Sequence, residues 1–195
     1  MAPWPDLILL NGSSSSGKTS ISKSLQALLP VGYLTFSVDD VFGWLPLRWD
    51  RSEEGFHFVP HPNGELEIVS GPEGLRTMQA WRRMVRAAVD AGMRAIVDAV
   101  FTDPGQRDDW ADVLHGRDVF LVGVQCDLAE LQRRELDRGD RGVGQALWQH
   151  ERVHAQGPYD LELDTTSMSP DQCAEAILSA LKARRHGSVL TSQPQ

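Results

Sequence analysis

Residues 12–19 constrain the fold of this chain more than any other segment. They read Gly-Ser-Ser-Ser-Ser-Gly-Lys-Thr and match the phosphate-binding loop pattern G-x-x-x-x-G-K-[ST] at every position. The apolar run at residues 7–10 predicts a buried strand before the loop, and Ile21, Leu25 and Leu28 predict an amphipathic helix after it. A strand, a glycine loop and a helix in this order surround a phosphate chain with backbone N–H groups and the positive end of the helix.

The residue types in the loop predict a nucleoside triphosphate site. Gly12 and Gly17 permit backbone angles and a close approach that a side chain would block. Lys18 is predicted to reach the β- and γ-phosphates, and Thr19 to offer its hydroxyl to Mg²⁺. The alternative is a serine-rich turn that matches the pattern by chance. The candidate ATP-binding residues are Gly12, Ser13, Ser14, Ser15, Ser16, Gly17, Lys18 and Thr19.

Composition agrees with a compact soluble enzyme. The chain has 195 residues and a formal net charge of −8, which argues against nucleic acid as a partner. No apolar stretch approaches membrane-spanning length, and the N-terminus lacks the pattern of a secretory signal. Cys126 and Cys173 lie in apolar-periodic segments, which predicts buried thiols and a reducing, cytoplasmic location. The sequence gives no indication of the oligomeric state.

Strands alternate with helical patterns along the chain, which predicts an α/β fold with a parallel sheet covered by helices on both faces. One domain is expected over residues 1–184, followed by a loose tail at 185–195. Ser169, Pro170 and Gln172 predict the start of the last helix, because they supply an N-cap, a first-turn proline and a capping-box partner. The predicted strands are residues 7–10, 33–38, 94–98, 119–124 and 161–164, and the predicted helices begin after the loop, at Pro72, and near residues 104, 127, 143 and 170.

Residues 46–71 interrupt this alternation. Two β-like runs, 56–59 and 66–69, flank a Pro-Asn-Gly turn, which predicts a hairpin. The hairpin leaves the sheet near the second strand, so we expect it to cover a substrate pocket. The alternative is a surface excursion without contacts.

A second interruption holds four arginines and a glycine break within residues 133–141. Guanidinium groups stabilise the charge that spreads over a phosphoryl group during transfer, so we predict an arginine-rich lid over residues 133–143. Arg138 and Arg141 are the candidate catalytic arginines, and Arg134 is a candidate nucleotide contact. In the alternative, the segment is a solvated charge run whose arginines pair with Glu135, Asp137 and Asp140.

Three aspartates follow predicted strands, where parallel sheets carry their chemistry. Asp98 is predicted to support Mg²⁺, and its alternative role is a turn cap. Asp39 and Asp40 follow the second strand, where a carboxylate would lie across the crevice from the loop and accept the proton of an acceptor hydroxyl. One of the two could instead cap a short helix over residues 41–44, and both roles can hold together.

These motifs together resemble the chloramphenicol phosphotransferase family over roughly residues 7–181. The resemblance implies a P-loop kinase fold with a central five-stranded parallel sheet, ATP and Mg²⁺ as cosubstrates, and phosphorylation of a primary hydroxyl on an antibiotic. It also implies that Asp39 is the base, that Lys18 binds phosphate, and that Arg138 and Arg141 are lid arginines. The segments that carry it are residues 12–19, Phe36-Ser37-Val38-Asp39, Ile96-Val97-Asp98-Ala99-Val100-Phe101, Arg138-Gly139-Asp140-Arg141 and Tyr159-Asp160-Leu161-Glu162-Leu163-Asp164-Thr165-Thr166.

Two positions depart from the family pattern. Ala99 follows Asp98 where the family has a second acid, and the acidic Asp40 follows Asp39 where a small uncharged residue is usual. The resemblance implies a small-molecule kinase with chloramphenicol or a related antibiotic as acceptor. A kinase of another hydroxylated metabolite, including a nucleotide sugar, and a nucleotide-gated regulatory NTPase are the alternatives.

Overall fold

The computed structural model describes residues 4–139, 142–184 and 190. In these ranges a five-stranded sheet carries seven helices, and a separate two-stranded hairpin follows the second helix. The strands are β1 (Leu7–Gly12), β2 (Leu34–Ser37), β3 (Phe56–Pro60), β4 (Leu66–Ser70), β5 (Ala95–Ala99), β6 (Val119–Gln125) and β7 (Leu161–Asp164). The helices are α1 (Lys18–Leu28), α2 (Val38–Gly43), α3 (Pro72–Asp90), α4 (Pro104–Val113), α5 (Leu128–Arg138), α6 (Gln145–His154) and α7 (Pro170–Ala183).

The sheet has the strand order β2-β5-β1-β6-β7, and every neighbouring pair is parallel. This confirms the predicted α/β fold with a central five-stranded parallel sheet. β1 lies in the middle, between β5 and β6. The later strands lie on both sides of β1. The carboxyl end of β1 therefore opens into a crevice, which is where open parallel sheets bind ligands.

Two apolar layers hold the helices against the sheet. On one face Trp81 of α3 and Trp110 of α4 pack edge to face, with ring centroids 5.2 Å apart, against alternate residues of β1 such as Leu9. On the other face α1 and α7 cover Ile8 and Leu10. These alternate strand residues are fully buried on both faces, as expected for a parallel sheet between two helical layers.

The chain end contributes to the first of these layers. Leu190 is only 5% exposed and belongs to the cluster that includes Trp81 and Trp110, although the sequence placed it in a loose tail. The other residues of the predicted tail lie outside the described part of the chain. Cys126 and Cys173 are both buried and free, as predicted.

The second strand is shorter than predicted, because a helix begins where the strand was expected to continue. Ser37 caps α2: its hydroxyl accepts from Asp39 N–H at 3.2 Å, and Asp40 completes a capping box. Val38 and Asp39 are therefore helical, and Asp39 lies in the first turn of α2 rather than at a strand end. The predicted cap of the last helix is found, with Ser169 accepting from Gln172 N–H at 3.2 Å.

The predicted hairpin is present as the antiparallel pair β3 and β4. In α1 the predicted apolar stripe is correct at Ile21 and Leu25, whereas Leu28 is 42% exposed and the next residue, Leu29, is buried. Within the described ranges, every helix is too short or too polar to span a bilayer.

Candidate active site

The phosphate loop joins β1 to α1 with the geometry that its glycines require. A Cβ on Gly12 would lie 2.7 Å from both Ser16 Oγ and the carbonyl oxygen of Val124, so only glycine fits. Gly17 has φ 91° and precedes the first residue of α1, a left-handed conformation that side chains disfavour. The loop therefore leads directly into a helix N-terminus, an arrangement that binds phosphate.

Lys18, Thr19 and Asp98 meet at the start of α1. Thr19 Oγ1 donates to Asp98 Oδ2 at 2.8 Å, and Lys18 Nζ lies 3.5 Å from Asp98 Oδ1. Burial raises the pKa of the Asp98 carboxyl, and the neighbouring Lys18 and Thr19 partly offset this rise. β5 delivers Asp98 to this point because it pairs with β1 in register, with Leu10 opposite Asp98.

This pair of oxygen ligands fits a magnesium site. Mg²⁺ prefers oxygen ligands, is held by one or two carboxylates, and takes its remaining ligands from water and substrate phosphates. Thr19 and Asp98 supply one hydroxyl and one carboxylate, which is a suitable protein contribution. Among the described residues, His, Cys, Asp and Glu side chains form no larger metal-binding group.

Polar groups of the loop remain available for a phosphate chain. The hydroxyls of Ser13, Ser15 and Ser16 are buried and have no hydrogen-bond partner within the described residues. Buried donors without partners are uncommon, and a triphosphate would supply acceptors for them. The serines of the loop therefore support its assignment as an anion site.

Gln149 on α6 fixes one peptide group of the loop. Its Oε1 accepts from Ser14 N–H at 2.6 Å, and the carbonyl of the same peptide group, Ser13 C=O, accepts from Lys18 Nζ at 2.8 Å. Lys18 also donates to Gly12 C=O at 2.9 Å. Because Gln149 is only 4% exposed, it holds this peptide in one orientation and thereby orients the carbonyl that Lys18 binds.

A cavity of about 1670 Å³ extends from the loop across the carboxyl end of the sheet. Its volume exceeds the ~300–1,000 Å³ typical of a site for one drug-sized ligand, so it has room for a nucleotide and an acceptor. Asp39, Asp98 and Arg138 all line it, together with Lys18 and Thr19. The charge of Asp39 also contributes to the raised pKa of Asp98.

The two adjacent aspartates have different surroundings. Asp40 accepts from Ser37 N–H at 3.3 Å and is therefore the residue that helps to cap α2. Asp39 contributes its backbone N–H to the same cap. Both aspartates line the cavity, and Asp40 is the one whose carboxylate also caps the helix.

The arginine-rich segment contributes described residues to the same cavity. Arg138 and Arg134 line it, and α5 ends at Gly139 with φ 63°. Arg134 Nη2 donates to Thr165 C=O at 2.7 Å, and Thr165 Oγ1 donates to Ser16 C=O at 2.9 Å, so Arg134 adjoins the loop through Thr165. Arg141 and Asp140 lie outside the described residues.

Part of this segment matches the alternative interpretation, in which it is a solvated run of paired charges. The exposed Arg133 pairs with Glu130 at 2.7 Å and with Asp137 at 2.6 Å. Glu135 is different, because it is 1% exposed and accepts from the backbone N–H groups of Gly144 and Ala146 at 2.8 and 2.9 Å. Glu135 therefore caps α6 and ties together the two ends of the segment.

The hairpin presents an apolar face to the cavity. Phe58 pairs with Ile68 and Pro60 pairs with Leu66, so alternate side chains of the two strands point to the same side. Phe56, Phe58, Leu66 and Ile68 all line the cavity. The hairpin also contacts the residue that follows the arginine-rich segment, since Leu66 N–H donates to Gly144 C=O at 3.0 Å.

Three site residues were missed from the sequence. Gln149 and Glu135 looked like ordinary polar residues of amphipathic helices, and no pattern links either to its distant partner. Arg82 on α3 lines the cavity and is 5% exposed. The sequence signal that pointed to Arg82 was its position as a charged residue within the apolar stripe of α3, between Met78 and Val85.

Taken together, the fold and the site define a P-loop kinase, in which a phosphate loop and a strand-end carboxylate open into a cavity large enough for two substrates. Solved structures share the fold. A sugar kinase from Janibacter sp. HTCC2649 superposes with a TM-score of 0.67 at 18% identity, covering 90% of this chain and 94% of that chain. The Mycobacterium tuberculosis APS kinase, determined with AMPPNP and APS, gives a TM-score of 0.63 at 17% identity, covering 91% and 97%.

Sequence comparison identifies the family. The chain belongs to the chloramphenicol phosphotransferase-like proteins, whose family model matches residues 5–182. It is also 33% identical over 201 residues to proteins of two Mycobacterium tuberculosis strains that carry the name "Putative O-phosphotransferase", covering 94% of this chain and 86% of theirs. The chain is thus an enzyme of the small-molecule kinase class, as the resemblance predicted.

Proposed function

We propose that the chain transfers the γ-phosphoryl group of ATP to a hydroxyl of a small molecule, with Asp39 as the general base. The observation that carries this proposal is the single cavity that Lys18, Thr19, Asp98, Asp39 and Arg138 line together. A phosphate-binding lysine and a separate carboxylate facing one space are what direct transfer to an alcohol requires.

In this mechanism the residues have distinct tasks. The loop amides and Lys18 hold the phosphates, and Thr19 and Asp98 would hold Mg²⁺, which neutralises phosphate charge when bound. Asp39 accepts the proton of the acceptor hydroxyl as the acceptor oxygen attacks the γ-phosphorus in line, and the bond from that phosphorus to the leaving ADP oxygen breaks. Arg138 stabilises the charge that spreads over the transferred group, and we assign the same task to Arg141.

The acceptor is proposed to have an apolar or aromatic body. The inner face of the hairpin, with Phe56, Phe58 and Ile68, supports this, because aromatic and aliphatic walls bind such groups. Chloramphenicol or a related antibiotic is the first candidate, since the family carries that name. Another hydroxylated metabolite is the second candidate. The buried Arg82 favours a metabolite with an anionic group, whereas chloramphenicol carries no ionised group.

Mass spectrometry tests the proposal directly. The protein is incubated with ATP, magnesium and a panel of hydroxylated antibiotics and metabolites, and each acceptor is examined for a gain of about 80 daltons, the mass of one phosphoryl group. We expect a modified acceptor with the wild type and none with Lys18→Ala, which loses the phosphate contact. ADP release without any modified acceptor would support a regulatory NTPase instead, and no nucleotide affinity would refute the kinase assignment.

A further inference from the structure

One side of α3 faces the cavity that Asp39 lines. Leu75, Met78, Gln79 and Arg82 stand at positions i, i+3, i+4 and i+7 of the helix, and all four line the cavity. Trp81, on the adjoining side of α3, packs in the core against the sheet. The side chains along the cavity side therefore change from apolar to polar as α3 proceeds, and they end at Arg82.

The Arg82 guanidinium is buried with few partners. Its side chain is 6% exposed, and Nη1 lies 3.0 Å from Asp109 Oδ2 on α4. Its Nε is buried and has no hydrogen-bond partner within the described residues. The guanidinium carbon lies 5.9 Å from the ring centre of Trp110, which gives it an aromatic neighbour but no acceptor.

This arrangement leaves a charged group undersatisfied. A guanidinium has five N–H donors, and burying such donors unpaired is unfavourable, more so for a charged group. Burial lowers the pKa of Arg82 despite the nearby Asp109 and Asp103, which shows that desolvation outweighs its charge partners. Asp109 is a loose counterion, since half of its side chain is exposed and can turn to solvent.

We propose that Arg82 binds an oxyanion group, such as a carboxylate, carried by the hydroxylated acceptor. This inference rests on the proposed function and narrows its substrate class to alcohols with an apolar body and an anionic end. A planar oxyanion can engage two guanidinium N–H groups at once, which supplies the acceptors that Arg82 lacks. The apolar part then lies along Leu75 and Met78, and the hydroxyl at Asp39.

A matched pair of small alcohols tests this assignment. Para-hydroxymethylbenzoate and its carboxamide share a ring and a primary hydroxyl and differ only in the charged group. Calorimetry without nucleotide is expected to show the carboxylate binding to the wild type about tenfold or more tightly than the carboxamide. Arg82→Met should abolish this preference and leave carboxamide binding unchanged. Arg83→Met, on the exposed neighbour in the same helix, should keep the preference.

Asp109→Asn separates ligand binding from a structural role of the ion pair. Because Asp109 competes for the guanidinium, its removal is expected to strengthen carboxylate binding, which is the opposite of the effect of Arg82→Met. Weaker carboxylate binding in both variants would assign Arg82 to a structural tie between α3 and α4 and overturn the proposal. Equal binding of the two probes, or binding of neither, would also overturn it.

The same probes distinguish this inference from the proposed function. Phosphorylation of both alcohols at equal rates would leave the kinase assignment intact and refute the role of Arg82. Binding of the carboxylate that depends on Arg82, with no phosphorylation of any alcohol in the panel, would support the oxyanion site and count against the kinase function.

Discussion

At the residue scale, side chains of the same type have different roles in the site because their surroundings differ. Asp39, Asp40 and Asp98 are aspartates that all line the cavity, yet Asp40 also caps α2 and Asp98 is buried beside Lys18 and Thr19. Only Asp98 combines burial with a hydroxyl and an ammonium neighbour. The proposed division of labour between base and magnesium support follows from these surroundings.

Replacing Asp39 with asparagine tests the proposed base. The asparagine side chain keeps the size of the aspartate but cannot accept a proton, so turnover should fall roughly 10²-fold or more while ATP affinity is retained. Steady-state kinetics and calorimetry measure the two quantities separately. Asp40→Asn is the matched control, because asparagine still offers an oxygen to Ser37 N–H and near-normal turnover is expected. Near-normal turnover of Asp39→Asn would remove that residue from the role.

At the scale of elements, the arginine-rich segment is anchored at both ends. Glu135 on α5 accepts from two backbone N–H groups at the start of α6, where a negative charge also interacts favourably with the helix dipole. Gln149, one turn further along α6, contacts the phosphate loop through Ser14. The segment that carries Arg138 is thus coupled to the loop through α6.

Glu135→Gln tests this anchoring. The glutamine amide would bring a donor toward one of the two backbone N–H groups, so one buried hydrogen bond is lost and unfolding free energy should fall by about 1–3 kcal/mol. We also expect a lower kcat, because Arg138 is held less firmly, with a smaller change in acceptor KM. Urea denaturation and steady-state kinetics provide both readouts. Glu151→Gln, at an exposed position of α6, should change stability by less than about 0.5 kcal/mol.

At the scale of the whole molecule, the charge balance predicts how stability depends on pH. His154 of α6 is partly buried, and both of its ring nitrogens are buried with no hydrogen bond within the described residues. Burial lowers the pKa of His154, the charges of His150 and Lys18 lower it further, and Glu162 opposes them. The unfolded chain therefore binds a proton at a higher pH than the folded chain does. The contribution of neutral His154 is complete above the unfolded pKa near 6.5 and is lost as the pH falls below it.

His154→Leu should reduce this pH dependence. The wild type is expected to lose stability between pH 7.5 and 5.5, and the contribution of His154 to that loss is at most about 1.4 kcal/mol per pH unit below the unfolded pKa. The variant should lose less, which urea midpoints at the two pH values measure. His115→Leu changes an exposed histidine and should resemble the wild type. An equal loss in all three proteins would contradict the assignment.

The local sequence determined the elements of this protein, and with them much of the nucleotide site. The strand, loop and helix at residues 7–28 and the capping box at Ser169 follow from short-range rules: apolar periodicity, glycine geometry and N-cap chemistry. Those rules act over a few residues, so one chain is enough to apply them. They failed at Ser37, where an unrecognised cap ended the strand early and moved Asp39 into a helix.

Only the tertiary structure decided which distant residues meet. The Gln149 contact with Ser14 spans 135 positions of sequence and the Arg134 contact with Thr165 spans 31, and no local pattern encodes either. The buried state of Arg82 depends likewise on α3 and α4 packing side by side against the sheet. Periodicity predicts which face of a helix is apolar, but the partner of a buried polar group depends on how the elements pack, and that is settled by the fold as a whole.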